Sequence, residues 1–393
     1  MVFQQVKFQQ EECAMESAGN RSVQRACAVL RCFQQSPLPL GLAQVAEAAG
    51  LNKPTTYRML MALVEGGMIE RLRKNTYALK GNTLRGRSYR LGYATQSEEF
   101  SFSRLVSESV RASAYNAGIE LLELNNRYSP TTAVRNAETF VREGVHLVIE
   151  FQTSLESAST VASKLVDAAI PLIAIDIPHP GGLYFGANNY RAGMIAGRAL
   201  AHACKDRWRG QFDELILLEL KMAGPLVRSR LTGMIAGLRE VLGDVKDDKI
   251  RFMNGNGRYE TSLAAMRKDL GRSKSRKILL GAINDPSCLG ALSAFMEAGR
   301  GADCLAISHN GALEARRELR RPGTSLIGSV AYFPEQYGEG VMQLALDTLQ
   351  GRRVPPAVFV KHELLDRQTV DRFYPNDPAL AEHDADSLLY SSR

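Results

Sequence analysis

Apolar residues recur at helical spacing in three short runs near the N-terminus. Val23, Ala26, Cys27, Leu30 and Phe33 share one side of a helix predicted over Ser22–Phe33, with Ser22 as its N-cap. Leu42–Ala49 predicts a second helix, and Gly50 follows it where a left-handed residue is needed. A third is predicted over Pro54–Glu65, with Pro54 at the first helical position and Gly66-Gly67 as its stop. Met68–Arg73 and Thr76–Lys80 then predict a hairpin with Lys74-Asn75 at its tip. From Tyr89 the pattern changes. Short continuous apolar runs, among them Ile119–Leu124, Leu147–Phe151, Leu172–Ile175, Leu215–Leu220 and Ile278–Ala282, alternate with amphipathic stretches such as Phe102–Asn116, Thr131–Glu143 and Arg191–Ala203. Strands apolar throughout, set between helices, imply parallel sheets covered on both faces. So many strands would make one very wide sheet, and two sheets in two lobes are expected instead. The expected fold class is therefore α/β: an N-terminal winged helix-turn-helix followed by a two-lobed α/β domain.

The boundaries read from this pattern are a disordered leader over 1–19, a winged helix-turn-helix over 20–80, a linker over 81–88, a two-lobed domain over 89–372 and a flexible tail over 373–393. Charge sharpens the division. The formal net charge is +7, yet residues 20–92 alone hold 12 Lys/Arg against 3 Asp/Glu, an excess of +9. The residues that follow hold 36 of each sign. Excess positive charge confined to one small segment draws phosphate through counterion release. No run approaches the roughly 18 apolar residues of a membrane span. The Gln- and Glu-rich N-terminus lacks the apolar stretch of a secretory signal. Six cysteines, at 13, 27, 32, 204, 288 and 304, show no CxxC or metal-ligand spacing. A cytoplasmic protein with reduced thiols, no membrane contact, no metal and no cofactor is expected.

Two helices joined by a short Gly-containing turn, followed by a basic hairpin, make a winged helix-turn-helix. Lys53, Thr55, Thr56 and Arg58 are expected on the face opposite Leu60 and Leu63, where Arg reads guanine edges and Thr and Lys reach bases or phosphates. Arg71, Arg73 and Lys74 on the wing are expected to hold flanking phosphates. The same helices in another role would form a dimerisation or protein-binding module. In the large domain, polar residues follow strand ends: Thr95-Gln96-Ser97-Glu98, Asp176, Asn284-Asp285, His309-Asn310 and Tyr332. In open α/β sheets ligands bind beyond the carboxyl ends of the strands. Carboxylates and amides there suit a polyhydroxylated ligand, with Phe100 or Tyr332 stacking on its apolar face. Asp and Asn after strands serve equally well as helix caps. No G-x-S-x-G elbow, HExxH or P-loop Lys-Ser/Thr occurs, so no catalytic residues are expected and the chain reads as a non-enzyme.

The segment SVQRACAVLRCFQQSPLPLGLAQVAEAAGLNKPTTYRMLMALVEGGMIERLRKNTYALKG resembles the winged helix of IclR-type regulators. That resemblance implies that the third helix enters the major groove of DNA, and that the protein binds as a dimer. The segments IPLIAIDIPHPGGLYFGANNYRAGMIAGRAL, GPLVRSRLTGMIAGL, AINDPSCLGALSAFMEAG and GSVAYFPEQYGEGVMQLALDTLQG resemble ribose-type periplasmic sugar-binding proteins and lactose-repressor effector domains. This second resemblance implies two lobes that clamp a ligand between them. It gives Asp176, Arg228 and Asn284 as ligand contacts to hydroxyls, with Glu98, Phe100 and Tyr259 near contact positions. Ile177, Asn310 and Tyr332 depart from the family pattern, which points to a ligand other than ribose. Gly81–Ser88 shows no equivalent of the minor-groove hinge helix of the lactose-repressor family. The combined expectation is a ligand-responsive transcription regulator. Its partners are double-stranded operator DNA, a sugar-like small-molecule effector and a second copy of itself. The alternative is a sugar-processing enzyme with an accessory DNA-binding domain.

Overall fold

A computed structural model describes residues 21–35, 39–72, 76–79 and 89–377. The expected leader over 1–19, the linker over 81–88, Arg73 and Lys74 of the wing, and the tail from 378 lie outside the described residues.

The N-terminal headpiece runs α1 (Arg21–Gln35), β1 (Leu40–Gly41), α2 (Leu42–Ala48), α3 (Lys53–Glu65), β2 (Ile69–Arg71) and β3 (Thr76–Leu79). The three strands form an antiparallel sheet in the order β1-β3-β2. The first of these was not expected: Leu40 and Gly41, inside the break that follows α1, pair with Tyr77 and Thr76. One core unites all the elements, built from Val29, Phe33, Val45, Leu60, Ile69 and Tyr77. The turn before α3 is closed by Asn52, whose side-chain oxygen accepts the Thr55 N–H at 2.9 Å. Such a cap satisfies an N–H that the helix itself leaves free.

Two six-stranded sheets form the large domain. The first has the order β14-β8-β7-β6-β4-β5, from β4 (Arg90–Thr95), β5 (Glu120–Asn125), β6 (Leu147–Phe151), β7 (Leu172–Ile175), β8 (Leu183–Gly186) and β14 (Ala357–Phe359). The second has the order β10-β9-β11-β12-β13-β15, from β9 (Glu214–Glu219), β10 (Ile250–Asn254), β11 (Ile278–Ala282), β12 (Cys304–Asn310), β13 (Leu326–Ala331) and β15 (Glu363–Leu365). Neighbours in the second sheet run parallel except β13 and β15. Helices α4 (Ser101–Ala117), α5 (Pro130–Arg142) and α6 (Leu155–Asp167) follow strands of the first sheet. Helices α7 (Asn189–Trp208), α8 (Gly224–Leu242), α9 (Tyr259–Leu270), α10 (Asp285–Glu297) and α11 (Leu313–Arg320) accompany the second. After α12 (Tyr337–Leu349) and β14, the described chain ends beyond α13 (Val370–Phe373).

Among the described residues the chain passes between the sheets three times: from β8 to α7, from β13 to α12 and from β14 to β15. These passes are the mechanical link between the lobes. Helices α7 and α8 are in contact along glycines. A Cβ at Gly193 or Gly197 would collide with the backbone of α8, and one at Gly233 or Gly237 with the backbone of α7. The chain stays packed past residue 372. Arg316 donates to Asp377 at 2.6 and 2.8 Å, and its guanidinium lies 3.7 Å from the centre of the Tyr374 ring.

Candidate functional site

In the headpiece, α3 presents a continuous exposed face. Lys53, Pro54, Tyr57, Arg58, Ala62 and Glu65 are exposed and recur at intervals of three and four residues. Lys53 and Arg58 therefore lie where the sequence placed them. Arg71 is exposed on β2. The two threonines do not join them. Thr56 is fully buried, with its hydroxyl donating to the Asn52 carbonyl at 3.0 Å, and Thr55 retains only 8% of its surface. The expectation that Thr56 faces away from Leu60 and Leu63 is corrected by periodicity. Four and seven residues along a helix return to the same side, so Thr56 shares the core face with both. Tyr57, passed over in the sequence, is 44% exposed beside Arg58.

The large domain holds a cleft of about 250 Å³ between its two sheets. Gln96, Phe100, Tyr128, Gln152 and Asp176, at the ends of first-sheet strands, line one wall. Arg230, Tyr259, Asn284 and Asn310 line the other. Five residues named from the sequence thus meet here: Phe100, Asp176, Tyr259, Asn284 and Asn310. Asp176 and Asn310 both have positive φ, at 62° and 112°. The Asp176 carboxylate accepts the Ala187 N–H at 3.3 Å. A side chain at Gly186 would strike that carboxylate, so the glycine makes room for it. Burial raises the Asp176 pKa, and the nearby Arg230 charge opposes the shift.

Some lining groups are committed elsewhere. The Asn284 oxygen caps α10 through the Ser287 N–H at 3.1 Å, and its amide nitrogen donates to the Gly257 carbonyl at 3.0 Å. The Gln152 side chain accepts the Ser154 N–H and donates to the Ser154 carbonyl, which fixes the start of α6. Buried Asp285 accepts from Ser308, from Ser329 and from the Ala312 N–H. Burial pushes its carboxyl up to about 6 despite those donors.

Three expected contacts do not line the cleft. Arg228 is half exposed; its Nε lies 3.3 Å from Glu219 and its guanidinium 4.8 Å from the centre of the Phe252 ring. Its place is taken by Arg230, which is 6% exposed. Two residues along a helix is a turn of about 200°, which separates the two arginines onto different faces. Glu98 gives way to its neighbour Glu99. Tyr332 is buried behind the wall, its hydroxyl among the unpartnered buried groups. It packs edge-on against His362 at 5.0 Å and under the Arg230 guanidinium at 4.9 Å.

Arg230 connects the cleft to the interlobe passes. Its Nε donates to Asn189 Oδ1 at 2.5 Å and its Nη1 to the Ile283 carbonyl at 2.9 Å. The Asn188 N–H donates to His362 Nε2 at 3.0 Å, joining the first pass to the third. Burial, then the charge of Arg230, holds the His362 pKa down at about 4, so the ring accepts as a neutral imidazole. Across the mouth, Arg258 of the second lobe lies 3.2 Å from Glu99 of the first. Its guanidinium covers Tyr128 at 4.8 Å and Phe100 at 5.7 Å. Ser101 donates to Glu314 at 2.7 Å, again from lobe to lobe.

Residues 92–353 match the family described as periplasmic binding protein domain, and residues 22–73 match the IclR helix-turn-helix domain. Among curated proteins, none matches the chain. Similar solved structures include a Mycobacterium smegmatis protein in complex with β-D-fucofuranose, at 20% identity and a TM-score of 0.65, covering 74% of this chain and 96% of that one. A galactofuranose-binding protein has 18% identity and a TM-score of 0.65, with 74% and 99% covered. A solute-binding protein from Agrobacterium vitis with bound allitol has the same identity, TM-score and coverage. At these identities the likeness establishes the fold. Among the described residues no helix is long and apolar enough to cross a membrane.

Proposed function

The chain belongs to the periplasmic binding protein domain family through residues 92–353, with an IclR helix-turn-helix domain ahead of that match, and from this premise we propose that it is a ligand-responsive transcription regulator. One observation carries the reading: a polar, aromatic-edged cleft and an exposed basic recognition helix occur in the same chain. Lys53, Tyr57 and Arg58 read the major groove, and Arg71, with Arg73 and Lys74, holds the backbone beside it. The effector is a sugar or sugar-like polyol. Phe100 and Tyr259 offer ring faces, while Asp176, Arg230 and Asn310 offer polar groups. The solved structures named above, with their bound sugar and polyol, support that class. The protein works in the cytoplasm as a homodimer on operator DNA, and effector binding changes its affinity for that DNA. The families matched are a DNA-binding and a ligand-binding domain, which supports a role without catalysis.

The test uses the full chain, operator DNA selected from random sequence, and a panel of neutral sugars and polyols. Salt-sensitive, sequence-preferring binding is expected. Arg58→Ala and Tyr57→Ala should each weaken it by about 1–3 kcal/mol, whereas Thr56→Ser should leave base preference unchanged. One panel member should raise the melting temperature, since a hundredfold excess over Kd adds about 2.7 kcal/mol, and should also alter DNA affinity. Absence of sequence preference with every panel member would sink the regulator reading. Conversion of the sugar to a product would favour the enzyme.

A further inference from the structure

Beyond strand ends, helix N-termini normally make a cleft hospitable to anions, because their free N–H groups and aligned dipoles carry partial positive charge. Here that advantage is cancelled within the chain. Three second-lobe helices begin at the cleft, and each carries a carboxylate in its first turn that lines it: Glu260 on α9, Asp285 on α10 and Glu314 on α11. The first lobe adds Glu99 and Asp176. Against these five carboxylates, Arg230 is, among the described residues, the one cationic side chain lining the cleft. Its guanidinium is already engaged by Asn189, the Ile283 carbonyl and the Tyr332 ring. Arg258, between the lining residues Gly257 and Tyr259, is turned to Glu99 and the rings of Tyr128 and Phe100.

We propose that the cleft is charge-selective: it takes a polyol that is uncharged or bears an amine, and rejects phosphate esters and sugar acids. The inference rests on the sugar-sensing reading above and narrows it to unphosphorylated effectors. An anion would enter a wall of carboxylates whose lining cation, Arg230, already acts on Asp176 and has Nε and Nη1 engaged. Glu99 is paired with Arg258 and Asp285 is occupied by its own donors, which leaves Asp176 and the exposed Glu260 and Glu314 to repel an anion.

The experiment is calorimetric titration of the full-length protein with matched sets built on glucose, galactose, ribose and myo-inositol. Each set holds the neutral compound, its monophosphate, its acid where one exists and its amino derivative. Neutral or amino members are expected to bind at least tenfold more tightly than their anionic counterparts. The gap should shrink as salt rises, and in Glu260→Gln/Glu314→Gln, because repulsion is screened or removed. A phosphate ester or acid that binds as tightly as its parent overturns the proposal alone. So does a gap unchanged by the double substitution, which would show discrimination by shape. If no member of any set binds, the sugar-sensing reading falls, and the charge rule with it.

Discussion

Arg230 brings a formal charge onto a face of α8 that otherwise holds Val227, Leu231, Met234 and Leu238, all buried. That displacement was visible in the sequence as a polar residue inside a helical apolar stripe, and family matching by position had pointed instead to Arg228. A second buried ionisable group is Glu150 in β6. It is fully buried; one oxygen accepts from Asn126 at 2.7 Å, and the other is among the unpartnered buried atoms. Desolvation pushes its carboxyl up to about 8, from an ordinary value of 4.5. Between those values the folded chain keeps a proton that the unfolded chain releases. Stability contributed by the neutral acid is thus complete below about 4.5, and is lost as pH rises through about 8. Urea unfolding across that range should show wild-type stability falling relative to Glu150→Gln by several kcal/mol, on a fully buried group, because titrations elsewhere in the chain, such as those of Asp285 and His362, are common to both proteins and cancel in the difference. Equal slopes in both proteins would refute the assignment.

At the scale of elements, the α7–α8 pair is held at glycine-limited distance. The run Gly-Ala-Asn-Asn-Tyr-Arg-Ala-Gly-Met-Ile-Ala-Gly, which marked the family in the sequence, acquires a physical reading. Gly186 clears the Asp176 carboxylate, and Gly193 and Gly197 admit the backbone of α8. Gly197→Ala should cost about 1–3 kcal/mol through overpacking. Gly271→Ala serves as control. Its backbone is right-handed at φ −63° and the nearest atom to an added Cβ is 3.6 Å away, so it should change stability by less than about 0.5 kcal/mol. Chemical denaturation of both variants decides the matter. Helix α3 teaches a related lesson, since spacing from Leu60 and Leu63 already assigns Thr56 to the core face, while the burial of Thr55 beside it follows from packing.

For the whole molecule, side chains of the two lobes meet beside the cleft, and these contacts hold the form it has here. Arg258 links the lobes by a half-exposed ion pair with Glu99 and by its position over Tyr128 and Phe100. The exposed pair alone contributes little, and the cation–π contacts add about 0.5–1 kcal/mol each. Arg258→Ala should therefore weaken effector binding about tenfold. It should also enlarge the radius of gyration of the effector-free protein in X-ray scattering. An unchanged dissociation constant and radius would show that Arg258 plays no part in closure.

Periodicity, glycine placement and the uneven charge determined the class of each domain: a winged headpiece and parallel strands in two lobes follow from which residues must be buried, a property local in the chain. Phe100, Asp176, Asn284 and Asn310 were legible as cleft residues because strand ends lead to one place in any open α/β sheet, whereas Tyr259 came from the family resemblance alone. The commitments of these groups were not. Whether Asn284 caps a helix or faces a ligand, and whether Tyr332 lines the cleft or backs it, depend on helix placement and on three separated passes of chain converging at His362, Tyr332 and Asn188. Those relations join residues far apart in sequence, and only packing in three dimensions sets them.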